Sequence, residues 1–341
     1  MARLAALSNL LVRAAACVAT AAVLGCTNNP YPASDADETI QYTWFDDAPK
    51  TLDPAVAYTT TEHEITGNVY DTLLEYHYLK RPYELIPALG TSVPKAELLP
   101  GDRVRYVFEL RPDLLFQDDP CFELDGGGKK TRQIVARDFV FELERIADPA
   151  VNSPVTDPFS NVSGFAEFSA KLESLRKRDK AFAALPAREQ YDQAGGMSGA
   201  RALDDLHLEI TLAKAYPQIL YWFAMPFTSP LPWEAVQYYD GQNGHDHLSD
   251  HPVGSGPYVL STYNKQARMV LDKNPNWYGV RHPEWKAPGA TYPSEGQPED
   301  AQNGALDPHA AGKPLPFIER CEFRRDKEAI PTFNKFLQGY Y

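Results

Sequence analysis

Residues 251–279, HPVGSGPYVLSTYNKQARMVLDKNPNWYG, restrict the fold more than any other stretch of this chain. Gly254 and Gly256 flank Ser255, and Pro257 then sets φ as the chain enters the strand-like run Tyr258-Val259-Leu260. Asn264-Lys265-Gln266 carries turn chemistry, Met269-Val270-Leu271 supplies a returning strand, and Asn274-Pro275-Asn276 stops it. This grammar predicts an antiparallel hairpin with turn chemistry at each end. By itself it predicts no function.

Other segments read as strands and helices without a regular βαβ repeat. Residues 39–45 alternate as a strand, as do 104–111 and 206–212. Residues 60–76 space Ile65, Val69 and Leu73 as a helix does, with Thr59 to Thr61 available as caps. Residues 136–147 form an amphipathic pattern with Phe139, Leu143 and Ile146 on one stripe. Residues 168–188 read as a charged helical insertion, and 193–200 as a loop. Pro217 opens a short helix over 218–224, and 233–239 form another. Residues 329–337 read as an amphipathic helix, with Gly339 as its cap. Residues 286–316 are rich in Pro, Gly and Ala, the composition of a surface excursion. The mixture predicts α/β lobes rather than a dinucleotide-binding sheet.

The wording of residues 251–279 resembles the signature of the extracellular solute-binding proteins of the oligopeptide/dipeptide/nickel class (family 5), the receptors of ABC importers. Further resemblances follow in family order. Leu52-Asp53-Pro54-Ala55 precedes Asn68-Val69-Tyr70-Asp71-Thr72-Leu73-Leu74, then come Glu84-Leu85-Ile86-Pro87-Ala88-Leu89 and the run 105–116 (RYVFELRPDLLF). Residues 136–149, with Glu144-Arg145 and Asp148-Pro149, and residues 317–339 complete the series. Two departures stand out. Val135 occupies a position where the family usually has Thr, so the following helix must be capped from elsewhere. Residues 122–133 and 167–205 are longer than the common pattern.

The resemblance implies a mixed α/β, two-lobed periplasmic binding protein-like fold with an enlarged first lobe, incomplete at the C-terminus. It divides the chain into a first lobe over 39–257 and a crossover with the start of a second lobe over 258–341. It also implies a monomeric receptor without a cofactor, whose partners are a peptide ligand and ABC permease subunits. Nickel chelates, sugars or opines are alternative ligands within the same fold, and a secreted hydrolase is the alternative from another class.

The first 25 residues carry Arg3 and Arg13, no acid, and an apolar run over 14–24 too short to span a bilayer. Val23-Leu24-Gly25-Cys26 then resembles a bacterial lipoprotein signal, which implies acylation of Cys26 and anchoring to a bacterial membrane, in the periplasm or on the cell surface. An ordinary signal peptide containing Cys26 is the other reading. Residues 26–38 are polar and contain proline, which suits a tether. The formal charge of −13 becomes more negative once the two arginines leave, which argues against nucleic acid. Cys121 and Cys321 then remain. They could pair in an oxidising compartment or stand as separate thiols, and sequence spacing does not choose.

No catalytic set emerges. Gly196-Met197-Ser198-Gly199-Ala200 lacks the apolar strand that feeds a nucleophile elbow, and Gly126-Gly127-Gly128-Lys129-Lys130 lacks the spacing of a phosphate loop. His245, His247 and His251 with Asp246 and Asp250 have metal-like content, but sit in a polar loop without a wider ligand framework, so no metal site is assigned. Trp222, Phe223, Trp233, Tyr238 and Tyr239 read as core packing. The remaining candidate is the loop 57–62, AYTTTE, where the family resemblance places its inter-lobe cleft. Tyr58, Thr59, Thr60 and Thr61 offer an aromatic face, hydroxyls and the amides of a helix start, groups suited to a peptide main chain. The alternative is that the threonines only cap the helix.

Overall fold

The computed structural model describes residues 30–31, 35, 38–123, 127–240 and 247–341. The signal segment, Cys26, most of the tether, and His245 with Asp246 lie outside the described residues. Two four-stranded sheets organise the rest. In the first the order is β1-β10-β9-β8, with β1 Ile40–Phe45, β8 Tyr258–Asn264, β9 Arg268–Lys273 and β10 Arg320–Arg325. β8 and β9 are the hairpin read from the sequence. Asn264 makes its turn, accepting at its carbonyl from Ala267 N–H at 3.0 Å and at Oδ1 from Gln266 N–H at 3.0 Å. β10 pairs antiparallel with β9 and parallel with β1. The division expected at 257/258 therefore runs through this sheet, because β1 lies on one side of it and β8 to β10 on the other.

The second sheet has the order β4-β5-β7-β6, all antiparallel, with β4 Glu97–Leu99, β5 Arg103–Glu109, β6 Ala200–Ala202 and β7 His207–Leu212. Val104, Tyr106 and Phe108 alternate inward along β5, as a strand with one covered face requires. The short hairpin of β2 (Leu74–Tyr76) and β3 (Leu85–Pro87) stands apart.

Helix α1 spans Thr60–Val69 and stops well short of residue 76. The Val69 carbonyl is taken by Gly256 N–H at 2.8 Å, and the chain leaves through an extended Tyr70. Periodicity continued to Leu73 because β2 and its approach are buried on the same core, not because they are helical. Helix α2 (Ala136–Ala147) has the expected amphipathic pattern but is buried nearly all round, and Asp138, Glu142, Glu144 and Arg145 are buried with its apolar residues. Its missing side-chain cap is replaced by Asp138, whose carboxylate accepts from Val135 N–H at 2.9 Å, and by the Asp205 carbonyl, which accepts from Ala136 N–H at 2.8 Å.

The charged insertion is broken into α3 (Phe165–Arg178), a single turn Lys180–Ala183 and α4 (Ala187–Ala194). Asp179 ends α3 and restarts the chain by accepting from Ala181 and Phe182 N–H; Pro186 opens α4 and left-handed Gly195 ends it. Helix α5 (Trp233–Tyr239) is as expected, and Phe223 and Tyr239 are core, with Trp222, Trp233 and Tyr238 packed against it. Helix α6 spans Ala329–Leu337. The disulfide is not formed. Cys121 is a buried thiol in the turn Pro120–Glu123, against α5, while Cys321 is a half-buried thiol in β10.

Candidate functional site

The loop 57–62 is set by two struts. The first comes from the hairpin entrance. Gly254 and Gly256 lie so close to the end of α1 that a Cβ on Gly254 would sit 2.0 Å from the Val69 carbonyl oxygen, and one on Gly256 2.7 Å from that of Asn68. Gln117 clamps the same segment, donating to the Pro252 carbonyl at 3.1 Å and accepting from Gly254 N–H at 3.2 Å. Asn274 donates to the Gly256 carbonyl at 2.8 Å, and Trp277 Nε1–H donates to Asp71 at 2.6 Å. Burial pushes the Asp71 carboxyl up to about 7, with that bond pulling the other way. Thus the residues of the signature hold α1 in place; they do not form the loop's face.

The second strut lies below the approach to the loop. Arg145 of α2 donates to both Asp53 oxygens, at 2.9 and 2.6 Å, and to Glu142 at 2.9 Å. Asp53 in turn accepts from Ala55 N–H at Oδ1 and from Ala57 N–H at its carbonyl. One guanidinium faces two buried carboxylates. Burial, opposed by Arg145 and aided by Asp53, raises Glu142 to about 8, and its Oε1 has no partner.

On these struts the loop closes a capping box. Glu62 is buried and its Oε2 accepts from Tyr58 and Thr59 N–H at 2.7 and 2.8 Å, while Thr59 Oγ1 accepts from Glu62 N–H at 3.3 Å. Thr59 is therefore committed to the helix. Thr60 is exposed at the first turn, Tyr58 is 61% exposed with its ring 5.9 Å from that of Phe227, and Thr61 lines a cavity. Of the four candidates, only Thr61 reaches that cavity.

The cavity has a volume of about 470 Å³, within the range of small-ligand sites. It is lined by residues 44–47 at the end of β1, by Thr61 and Glu64 from α1, and by residues 326–329 with Thr332, Phe333 and Phe336. Its lining mixes the acids Asp46, Asp47, Glu64, Asp326 and Glu328 with the rings of Trp44, Phe45, Phe333 and Phe336. Lys327 sits 3.8 Å from Asp47. Burial raises Asp326, but Lys335 and Tyr341, both bonded to it, hold its carboxyl below the usual range. β1 and β10 run parallel, so their carboxyl ends, Phe45 and Arg325, open side by side at this point. That is where ligands meet parallel strands in open α/β sheets.

Residues 84–297 match the model of the bacterial extracellular solute-binding proteins, family 5 Middle. This is more than half of the chain. The chain belongs to that family. The probable ABC transporter periplasmic-binding protein SapA of Escherichia coli is 26% identical over 63% of this chain and 32% of its own length. Di/tripeptide-binding protein 4 of Pseudomonas aeruginosa is 25% identical over 59% of this chain and 31% of its own. Among solved structures, the pheromone receptor PrgZ superposes with a TM-score of 0.60 at 17% identity, covering 89% of this chain and 46% of that one. DppA from Helicobacter pylori, in complex with the peptide STSA, gives 0.56 at 19%, covering 90% and 47%. The fold is thus that of family 5 binding proteins of ABC importers, and the chain spans about a third of the length of SapA and just under half of that of DppA.

Within this family chain, sequence reasoning missed Trp44, Asp46, Asp47, Glu64, residues 326–329, Thr332, Phe333 and Phe336. No local pattern marks them, since they meet only through the parallel pairing of β1 with β10. A second cavity, of about 340 Å³, adjoins Gln117, Asp119, Asp250, His251 and Lys265. Its polar groups are committed: Lys265 to Asp250 at 2.6 Å, and Asp119 to the Tyr239 hydroxyl at 3.0 and 3.1 Å. His251 stacks on Tyr239 at 4.8 Å, and His247 is exposed near Asp240. Among the described residues no group of His, Cys, Asp and Glu is placed to hold a metal.

Proposed function

We propose that this chain is the substrate-binding part of a lipid-anchored receptor that captures oligopeptides or dipeptides outside the cytoplasm and delivers them to an ABC permease. The observation that carries the reading is the 470 Å³ cavity where the ends of β1 and β10, the first turn of α1 and helix α6 meet. The hydroxyl and first-turn amide of Thr61 suit a peptide carbonyl group, and the acids of the lining suit an ammonium group. Tyr58 adds an exposed ring at the rim. Capture proceeds by closure of a second lobe over this face. The exposed apolar residues Ile330, Phe333, Phe336 and Leu337 support that placement, because a face of this kind needs a cover. The reading assigns the chain no catalysis.

A thermal-shift screen of the full-length protein against di- to pentapeptides, nickel chelates and oligosaccharides tests the ligand class. Several unrelated peptides are expected to stabilise it, by about 2.7 kcal/mol at a concentration 100 times Kd. Thr61→Ala should weaken the response by about 1 kcal/mol, and Thr60→Ala, which lies outside the cavity, by less. A response confined to sugars or chelates moves the function to the alternative ligands.

The anchor is a separate proposal, resting on the Val23-Leu24-Gly25-Cys26 pattern. Expressed in a bacterium and partitioned in detergent, the protein is expected to follow the detergent phase and Cys26→Ser the aqueous phase. Equal partitioning and identical processing of the two would remove the anchor.

A further inference from the structure

The cavity at the ends of β1 and β10 holds more negative charge than the terminal ammonium of a peptide matches. Five carboxylates line it, those of Asp46, Asp47, Glu64, Asp326 and Glu328, against one base, Lys327. Two of the five are engaged: Lys327 Nζ lies 3.8 Å from Asp47, and Lys335 and the Tyr341 hydroxyl are bonded to Asp326. Among the described residues Asp46, Glu64 and Glu328 take part in no ion pair, and all three are exposed. Arg325 is close by, but it donates to the Asp46 carbonyl at 3.4 Å and to the Gln266 side chain rather than to a carboxylate. Thr61 at the start of α1 and Ala329 at the start of α6 also line the cavity, and each helix start brings roughly half a positive charge. Together they offset about one of the three unpaired carboxylates.

Rings complete the lining. Trp44, Phe333 and Phe336 are exposed; Phe333 and Phe336 stack with centres 6.4 Å apart, and Trp44 rests against Tyr341 at 5.4 Å. Exposed rings beside unpaired carboxylates have the chemistry that takes an organic cation. The ring faces attract it through their quadrupole, and the carboxylates through charge and hydrogen bonds. A guanidinium meets both, because it is flat, forks onto carboxylates and stacks on rings. A peptide without charged side chains brings one ammonium and one carboxylate, so this lining gains nothing net from its charge.

We propose that this cavity selects peptides carrying a basic side chain, and that this side chain, not only the terminal ammonium, enters it. The proposal rests on the reading of the chain as part of a peptide receptor, and it names which peptides that receptor favours. Without a ligand, Lys327 answers Asp47; a basic side chain of the ligand competes with it for the same lining. An acidic side chain meets like charge from Asp46, Glu64 and Glu328 and is rejected.

The test is calorimetric titration of the full-length protein with three tetrapeptides that differ at one position, Ala-Arg-Ala-Ala, Ala-Gln-Ala-Ala and Ala-Glu-Ala-Ala. The Arg peptide is expected to bind about tenfold more tightly than the Gln peptide and the Glu peptide about tenfold more weakly, with the spread narrowing as salt rises from about 50 to about 500 mM. The double variant Glu64→Gln, Glu328→Gln should bring the Arg-to-Gln ratio close to one, and Lys327→Gln should widen it about threefold. All three positions are exposed, so these changes act on the lining and not on the core. Equal affinities of the wild type for the three peptides would overturn the charge selection and leave the peptide reading standing; binding of none would overturn both. A preference for the Arg peptide that persists undiminished in the double variant would place the selection outside this cavity and overturn the proposal as well.

Discussion

Gly254→Ala is expected to destabilise the protein by about 3 kcal/mol or more, while Gly127→Ala leaves stability within about 0.5 kcal/mol of the wild type. The contrast is steric. A Cβ at position 254 would lie 2.0 Å from a backbone oxygen of α1 that cannot swing aside, and one at position 127 would meet nothing closer than the Lys129 side chain at 4.0 Å. Relief requires moving the hairpin entrance away from α1, which lengthens the Gly256–Val69 hydrogen bond and loosens Gln117. Because α1 carries Thr60 and Thr61, the same change should weaken the ligand response in the thermal-shift screen. Urea unfolding of the two variants checks the first part. Coincident midpoints for G254A and the wild type would show that the close approach is not held in solution.

Arg145→Met should cost about 3–5 kcal/mol, because it leaves Asp53 and Glu142 buried without their shared cation. The Arg145 and Glu142 side chains are 4% and 0% exposed, so solvent screening offers little relief. Glu142→Gln gives the complementary experiment. A carboxyl raised to about 8 in the folded state binds its proton there at pH values where the unfolded chain has released it. Its contribution is therefore fully present below the ordinary carboxyl range and is lost as pH rises toward about 8. Glu75, raised to about 8, and Asp71 and Glu144, each raised to about 7, add the same sign, burial being the first cause in each. The wild type is expected to be more stable near pH 5 than near pH 8, and E142Q to show a shallower decline over that interval. A decline in E142Q as steep as in the wild type would mean that Glu142 does not hold its proton.

Much of the first sheet was legible because its signals are local. Two glycines, a proline and an asparagine turn bracket β8 and β9, and such residues act through their own backbone. Elements 136–147, 233–239 and 329–337 were equally legible, since each has helical spacing and a clear stop. The end of α1 was not, because Leu73 continues the apolar spacing while the helix is cut by a glycine pair nearly two hundred residues away. The insertion failed for the opposite reason: Asp179 and Pro186 are local breakers inside a run whose charge pattern remained helical throughout. α2 carries an amphipathic pattern but is enclosed, because Asp53 and Arg132 come from other places to pair Arg145 and Asp138, while Arg137 pairs Glu144 within the helix.

The candidate site divides along the same line. The threonine-rich helix start could be found from the chain because a capping box is a three-residue spacing, Thr59 to Glu62. Its division of labour could not, since only the folded chain shows that Thr59 is spent on the cap while Thr61 turns to the cavity. Trp44, Asp46 and Asp47 reach that cavity through a parallel pairing between strands 280 residues apart in register, Ile40 with Arg320, and pairing of that kind leaves no periodic trace in either strand. By itself the sequence determined the family, the hairpin, and the loop that carries the threonines, because motif and turn chemistry act over a few residues. Tertiary structure alone decided which acids share Arg145, that Cys121 and Cys321 stay apart, and where the cavity opens, because those depend on which distant surfaces pack together.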